Sequence, residues 1–107
     1  MLEKNYKYSI SEEKTIEKLI LDENVNINHM ILPQGEGLPI HFSNSNVYMI
    51  VVSGKVSLLL DDQDEHLYAK GEIINIPYKT KMNVRNENSE IVELFVVKAP
   101  APDNYKA

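Results

Sequence analysis

Three imidazoles, His29, His41 and His66, carry most of the acid–base and metal-ligating chemistry available to this chain. There is no cysteine, which removes disulfides, thiolate metal centres and cysteine nucleophiles together. His41 is the most suggestive of the three. It opens the stretch HFSNSNVYMIVVSG, in which a polar run from Ser43 to Asn46 precedes an apolar run from Val47 to Val52. An imidazole titrates near neutrality, so at the mouth of an apolar strand it suits a metal ion or a proton-transfer role. A hydrogen bond to a neighbour such as Ser43 would equally make it structural. The hydroxyls and amides of SNSN suit a polar ligand or, as readily, a turn that bonds its own backbone.

The other chemistry-bearing stretches are plainer. DDQDEH, residues 61–66, lacks the glycine and the closing glutamate of a calcium loop. It reads as an acidic hairpin turn, with His66 exposed beside it. His29, in NINHMIL, lies on a strand whose facing the sequence leaves open. There is no G-x-S-x-G, phosphate loop or dinucleotide fingerprint.

Strands must position these side chains. VNINHMIL (25–32), VYMIVV (47–52), KVSLLL (55–60), EIINIP (72–77) and IVELFVV (91–97) alternate or are rich in β-branched residues. Turn residues separate them: DEN at 22–24, PQGEG at 33–37, SG at 53–54, KG at 70–71 and NENS at 86–89. Residues 9–20 are ambiguous. Ser9 with Glu12 mimics a helix capping box, yet KTIEKLI also suits a strand, which is the reading adopted. Tyr78, Lys79 and Lys81 are expected on a rim loop after Pro77, and the tail KAPAPDNYKA over the surface or frayed. VYMIVV and IVELFVV are apolar on both faces, which predicts a homodimer that covers one sheet face.

Composition bounds the rest. At 107 residues, 43% hydrophobic and 25% charged, the chain reads as one globular domain. A net charge of −5 with scattered Lys and Arg argues against nucleic-acid binding. No apolar run approaches membrane-spanning length, and the start lacks the apolar core of a leader peptide. A soluble cytoplasmic protein is therefore expected.

The order of these motifs resembles the cupin superfamily of small barrels over roughly residues 25 to 98. The first cupin motif is G-x5-H-x-H-x3,4-E-x6-G and the second G-x5-P-x-G-x2-H-x3-N. With Gly54 as the closing glycine of the first, Gly35 takes the opening position, His41 and Ser43 the two histidine positions, and Val47 the glutamate position. Gly37 is surplus to the pattern. In the second motif Gly71, Pro77 and Asn86 match, while Lys79 replaces the glycine and Met82 the histidine.

The resemblance implies an all-β, single-domain double-stranded β-helix (jelly roll), with an N-terminal extension at 1–24, a barrel at 25–98 and a tail at 99–107. It also implies a metal held by three histidines and a glutamate. Here those positions read His41, Ser43, Val47 and Met82, so no metal or other cofactor is expected. A soft Cu(I) set of His41, Met49 and Met82 is the weaker alternative to methionines that merely fill the core. The expected pocket comprises His41, Ser43, Val47, Met49, Tyr78, Met82 and Asn86. The functional expectation is a metal-independent small-molecule binding or sensing module. The alternatives are an isomerase, epimerase or decarboxylase with His41 as base and Tyr78 or a lysine as its partner, or a metalloprotein with a non-standard site.

Overall fold

The computed structural model describes residues 1–105; Lys106 and Ala107, the end of the expected tail, lie outside the described residues. Nine strands form in chain order: β1 (Thr15–Leu21), β2 (Asn26–Leu32), β3 (His41–Phe42), β4 (Val47–Ser53), β5 (Lys55–Leu60), β6 (His66–Ala69), β7 (Ile73–Ile76), β8 (Lys81–Arg85) and β9 (Val92–Lys98). They make two antiparallel sheets, one ordered β1-β2-β9-β4-β7 and the other β3-β8-β5-β6. Among the described residues no helix is long and apolar enough to cross a membrane.

The alternation in VYMIVV sets how the sheets face each other. Val47, Met49 and Val51 point inward and are buried, while Tyr48 and Val52 point outward and are exposed. The same parity turns Val92, Leu94 and Val96 of β9 inward. Val56, Leu58, Met82 and Val84 line the opposing sheet, and together these residues form the core.

KTIEKLI is a strand, β1, at the edge of the larger sheet and antiparallel to β2. Lys81, expected on a loop, opens β8 instead. In KMNVR only Met82 and Val84 face inward, and the three polar residues between and around them make the stretch resemble a loop in sequence. DDQDE joins β5 to β6 as a hairpin, and His66 at the start of β6 is exposed. Gly37 is not surplus. It bridges Arg85, and a Cβ there would lie 2.7 Å from the Val84 carbonyl oxygen, so only glycine lets the chain pass.

The outer face of the larger sheet, assigned from sequence to a partner subunit, is covered in part by the chain itself. Tyr8 packs on His29 at 4.7 Å and edge-on to Phe95 at 5.0 Å. His29 is fully buried on this outer face, where Nδ1 lies 2.7 Å from Glu17 Oε1 and Nε2 lies 2.6 Å from Glu93 Oε2. Each ring nitrogen has its own carboxylate partner. His29 thus faces away from the barrel interior. Tyr48, Val52 and Ile73 remain exposed on the same face.

The covering arm is held by one carboxylate. The Ser9 backbone N–H and hydroxyl donate to Glu17 at 3.0 and 2.8 Å. These bonds and the His29 bond, the Ser9 backbone contribution being largest, hold the Glu17 carboxyl at about 2, below its ordinary 4.5. A carboxyl depressed in the folded state stabilises the fold above its unfolded pKa and ceases to do so as pH falls through the folded one. The clasp is therefore expected to hold above pH 4.5 and to release as pH falls towards about 2. Amide exchange at Ser9 measures it: Glu17→Gln should expose Ser9 at neutral pH, and equal protection in the variant would contradict the clasp.

Candidate functional site

A cavity of about 490 Å³ opens between the sheets. Strand register explains its wall on the larger sheet. Lys18, Asn28, Val96 and Met49 are successive cross-strand partners and form one inward row across β1, β2, β9 and β4. Ile16 and Met30 pair in the row on one side, and Lys98 pairs with Val47 in the row on the other. His41 and Met82, partners across β3 and β8, face them from the smaller sheet. Leu38, Pro39, Ser43 and Asn44 complete the mouth.

Five residues named from sequence therefore meet at one cavity: His41, Ser43, Val47, Met49 and Met82. Their environments differ. Val47, Met49 and Met82 are buried, whereas His41 is exposed at the rim. His41 Nδ1 is 2.8 Å from the Pro39 carbonyl oxygen, to which it donates, so in the neutral ring Nε2 keeps the lone pair. The Ser43 hydroxyl is fully committed. It donates to the Pro77 carbonyl at 2.5 Å and accepts the Thr80 backbone N–H at 2.9 Å. Elsewhere in SNSN, Ser45 donates to the Pro100 carbonyl and the Asn46 side chain accepts from Asn75. That polar run mainly fastens loops; of its four residues Ser43 and Asn44 reach the cavity wall.

Two expected pocket residues lie elsewhere. The Tyr78 ring packs on Tyr105 at 4.2 Å with Lys79 over its face, because Lys79 adopts a positive φ of 66° that turns the chain after Pro77. The expected pairing of His41 with Tyr78 is thus not assembled. Asn86 is fully buried outside the cavity, where its amide donates to the Leu32 and Glu90 carbonyls, both at 2.8 Å. It is a brace between loops.

Lys18, Asn28 and Lys98 were missed. Their signal was parity: each shares the inward face with an apolar neighbour two residues away, Ile16, Met30 and Val96. Burial and then the Lys18 charge push the Lys98 ammonium below the usual lysine range. Asn28 is 9% exposed, and its Oδ1 is buried without a hydrogen-bond partner. An unmet buried acceptor costs on the order of 1–3 kcal/mol.

The four cupin metal positions supply one exposed imidazole, a committed hydroxyl, an isopropyl group and a thioether. That set does not fit a divalent ion, which needs about three nitrogen, oxygen or thiolate donors. Among the described residues no group of three or more His, Asp and Glu is placed to hold one.

Two antiparallel sheets closed around a cavity, with a glycine corner carrying β4 into β5, make a double-stranded β-helix barrel. No protein-family model matches the chain. An uncharacterized protein of Methanocaldococcus jannaschii is 45% identical over 108 residues, covering 100% of this chain and 93% of that one. The crystal structure of an RmlC-like cupin family protein from that organism superposes with a TM-score of 0.94 at 46% identity, covering 96% of this chain and 95% of the other. The chain belongs to the RmlC-like cupin family. An RmlC-like cupin from Desulfovibrio desulfuricans, 21% identical, shares the fold with a TM-score of 0.74 over 94% of this chain and 97% of its own.

Proposed function

We propose that this cupin is a metal-independent binding or sensing module for a small molecule held in the barrel cavity. The observation that carries the reading is the cavity itself. At about 490 Å³ it falls within the roughly 300–1,000 Å³ common for ligand pockets. Its wall is mostly apolar, with few polar groups, which suits orientation of an otherwise apolar ligand. The ammonium groups of Lys18 and Lys98 on that wall repel a divalent cation and reinforce the poor donor set.

A thermal-shift screen against small organic compounds tests the proposal. A ligand at about a hundredfold its Kd adds about 2.7 kcal/mol to stability, a shift of several degrees for a domain of this size. Met49→Trp, which fills the interior, and Ile16→Trp, a change at a half-exposed rim position, should each reduce that shift. The rim variant separates loss of binding from loss of folding. Absence of any stabilising compound, or shifts in both variants equal to that of wild type, would contradict the reading.

A further inference from the structure

We infer that the cavity takes a small organic acid, its carboxylate at Lys18, Lys98 and Asn28 and its apolar body, aromatic by preference, among Met30, Met49 and Met82. The inference rests on the pocket reading and names the ligand class.

Charge is the first support. The chain carries sixteen acidic against eleven basic residues, yet the cavity wall holds two lysines and no Asp or Glu. Among the described residues neither lysine forms an ion pair. An unpaired ammonium withdrawn from water is unfavourable, and a second beside it adds repulsion. Both forces act on Lys98. A carboxylate between the two lysines relieves both at once, whereas a neutral ligand relieves neither and a cation makes them worse.

Asn28 adds a polar group to the same wall. It is buried there, and its Oδ1 receives no hydrogen bond among the described residues. Lys18 is its direct partner on β1, and Lys98 lies one inward step along β9 from its partner Val96. Direct and diagonal neighbours on one sheet face lie roughly 5–8 Å apart, within reach of one carboxylate for side chains as long as lysine. The amide Nδ2 donates to that carboxylate, while Oδ1, an acceptor, is left for a donor elsewhere on the ligand, such as a hydroxyl.

The body of the ligand follows from the methionines of both walls. Three of the chain's four methionines line the cavity, Met30 and Met49 on the larger sheet and Met82 on the smaller. Thioethers adapt to irregular shapes and make favourable contacts with aromatic rings.

Calorimetric titration with three probes on one carbon skeleton tests the inference: 3-phenylpropanoate, 3-phenylpropanamide and 3-phenylpropylamine. The acid should bind at least about tenfold tighter than the amide, the low end for a hydrogen bond to a charged group. The amine should bind weakest. Lys18→Met with Lys98→Met should erase the preference for the acid while the amide still binds, and Lys18→Met alone, at an exposed position, should reduce it without risk to folding. Binding of the acid no tighter than the amide, or a preference unchanged in the lysine variants, overturns the acid assignment and leaves the pocket reading standing. No saturable binding by any of the three probes overturns both.

Discussion

Gly54→Ala is expected to unfold the protein at a melting temperature on the order of 8–25 °C below wild type. Gly54 turns the chain from β4 in one sheet into β5 in the other, at a φ of +74°. Two penalties fall together there. A left-handed backbone costs a non-glycine residue about 1–2 kcal/mol. A Cβ would also lie 2.5 Å from the Ile91 carbonyl oxygen and 3.0 Å from Val92 Cα, both backbone atoms of the segment entering β9. β9 sits in the middle of the larger sheet between β2 and β4, so displacing it disturbs two ladders. Forced overpacking adds roughly 1–3 kcal/mol, for a total of about 2–5 kcal/mol. At about 4–5 °C per kcal/mol for a domain just over 100 residues this gives the stated fall. Gly35→Ala is the control, because Gly35 has a φ of +83° and open space around the added carbon. It should show the backbone penalty alone, about 1 kcal/mol. Equal melting temperatures in the two variants would show that the close approach at Gly54 is not tight.

Asn86→Ala should cost about 2–5 kcal/mol, with ligand binding in the cavity unchanged for the protein that remains folded. The Asn86 amide donates to two carbonyls, those of Leu32 at the end of β2 and Glu90 before β9, and accepts the Asn88 backbone N–H at 2.9 Å. Truncation leaves the buried Leu32 carbonyl unmet, at about 1–3 kcal/mol, and removes two part-buried bonds at about 0.5–1 kcal/mol each. Asn86→Asp sharpens the test. A carboxylate there faces two carbonyl oxygens that it cannot donate to, which raises its pKa in the fold. Stability of that variant should therefore recover as pH falls and the group protonates. A melting temperature unchanged in Asn86→Ala, or a loss of cavity binding with no loss of stability, would return Asn86 to the site.

The contrast between these two residues shows what the sequence made legible. Gly54 and Asn86 both match cupin motif positions, and both hold loops and corners of the barrel in place. Spacing found them because scaffold positions recur at fixed separations along the chain. His41, Ser43, Val47 and Met82 were likewise brought to one cavity, since β3, β4 and β8 enter it in the expected register. Spacing said nothing of which hydroxyl or ring was already spent. Ser43 is committed to the Pro77 loop and Tyr78 to the C-terminal segment, partners 34 and 27 residues away that only the folded chain brings near.

The larger omission concerned lysines. Lys18 sits on a strand that sequence could not separate from a helix, and Lys98 lies one residue past the expected end of β9. A single further step of the alternation through Leu94 and Val96 places Lys98 inside. Charged residues invite a solvent-facing reading, and here parity and expectation conflicted. The fold resolves the conflict in favour of parity, which turned a cavity with no evident polar chemistry beyond His41 into one with two cationic groups. His29 shows the reverse. It was open to either face in sequence, and its two carboxylate partners and the Tyr8 ring lie on the outer one.

On the proposed reading the barrel interior binds its ligand without a metal. The most direct measurement of this is calorimetric titration of the best-stabilising compound into protein dialysed against chelator and shown metal-free by elemental analysis. The expected result is saturable binding near one equivalent per chain, with a Kd that added divalent cations leave unchanged. Binding that appears only after a metal ion is restored would contradict it.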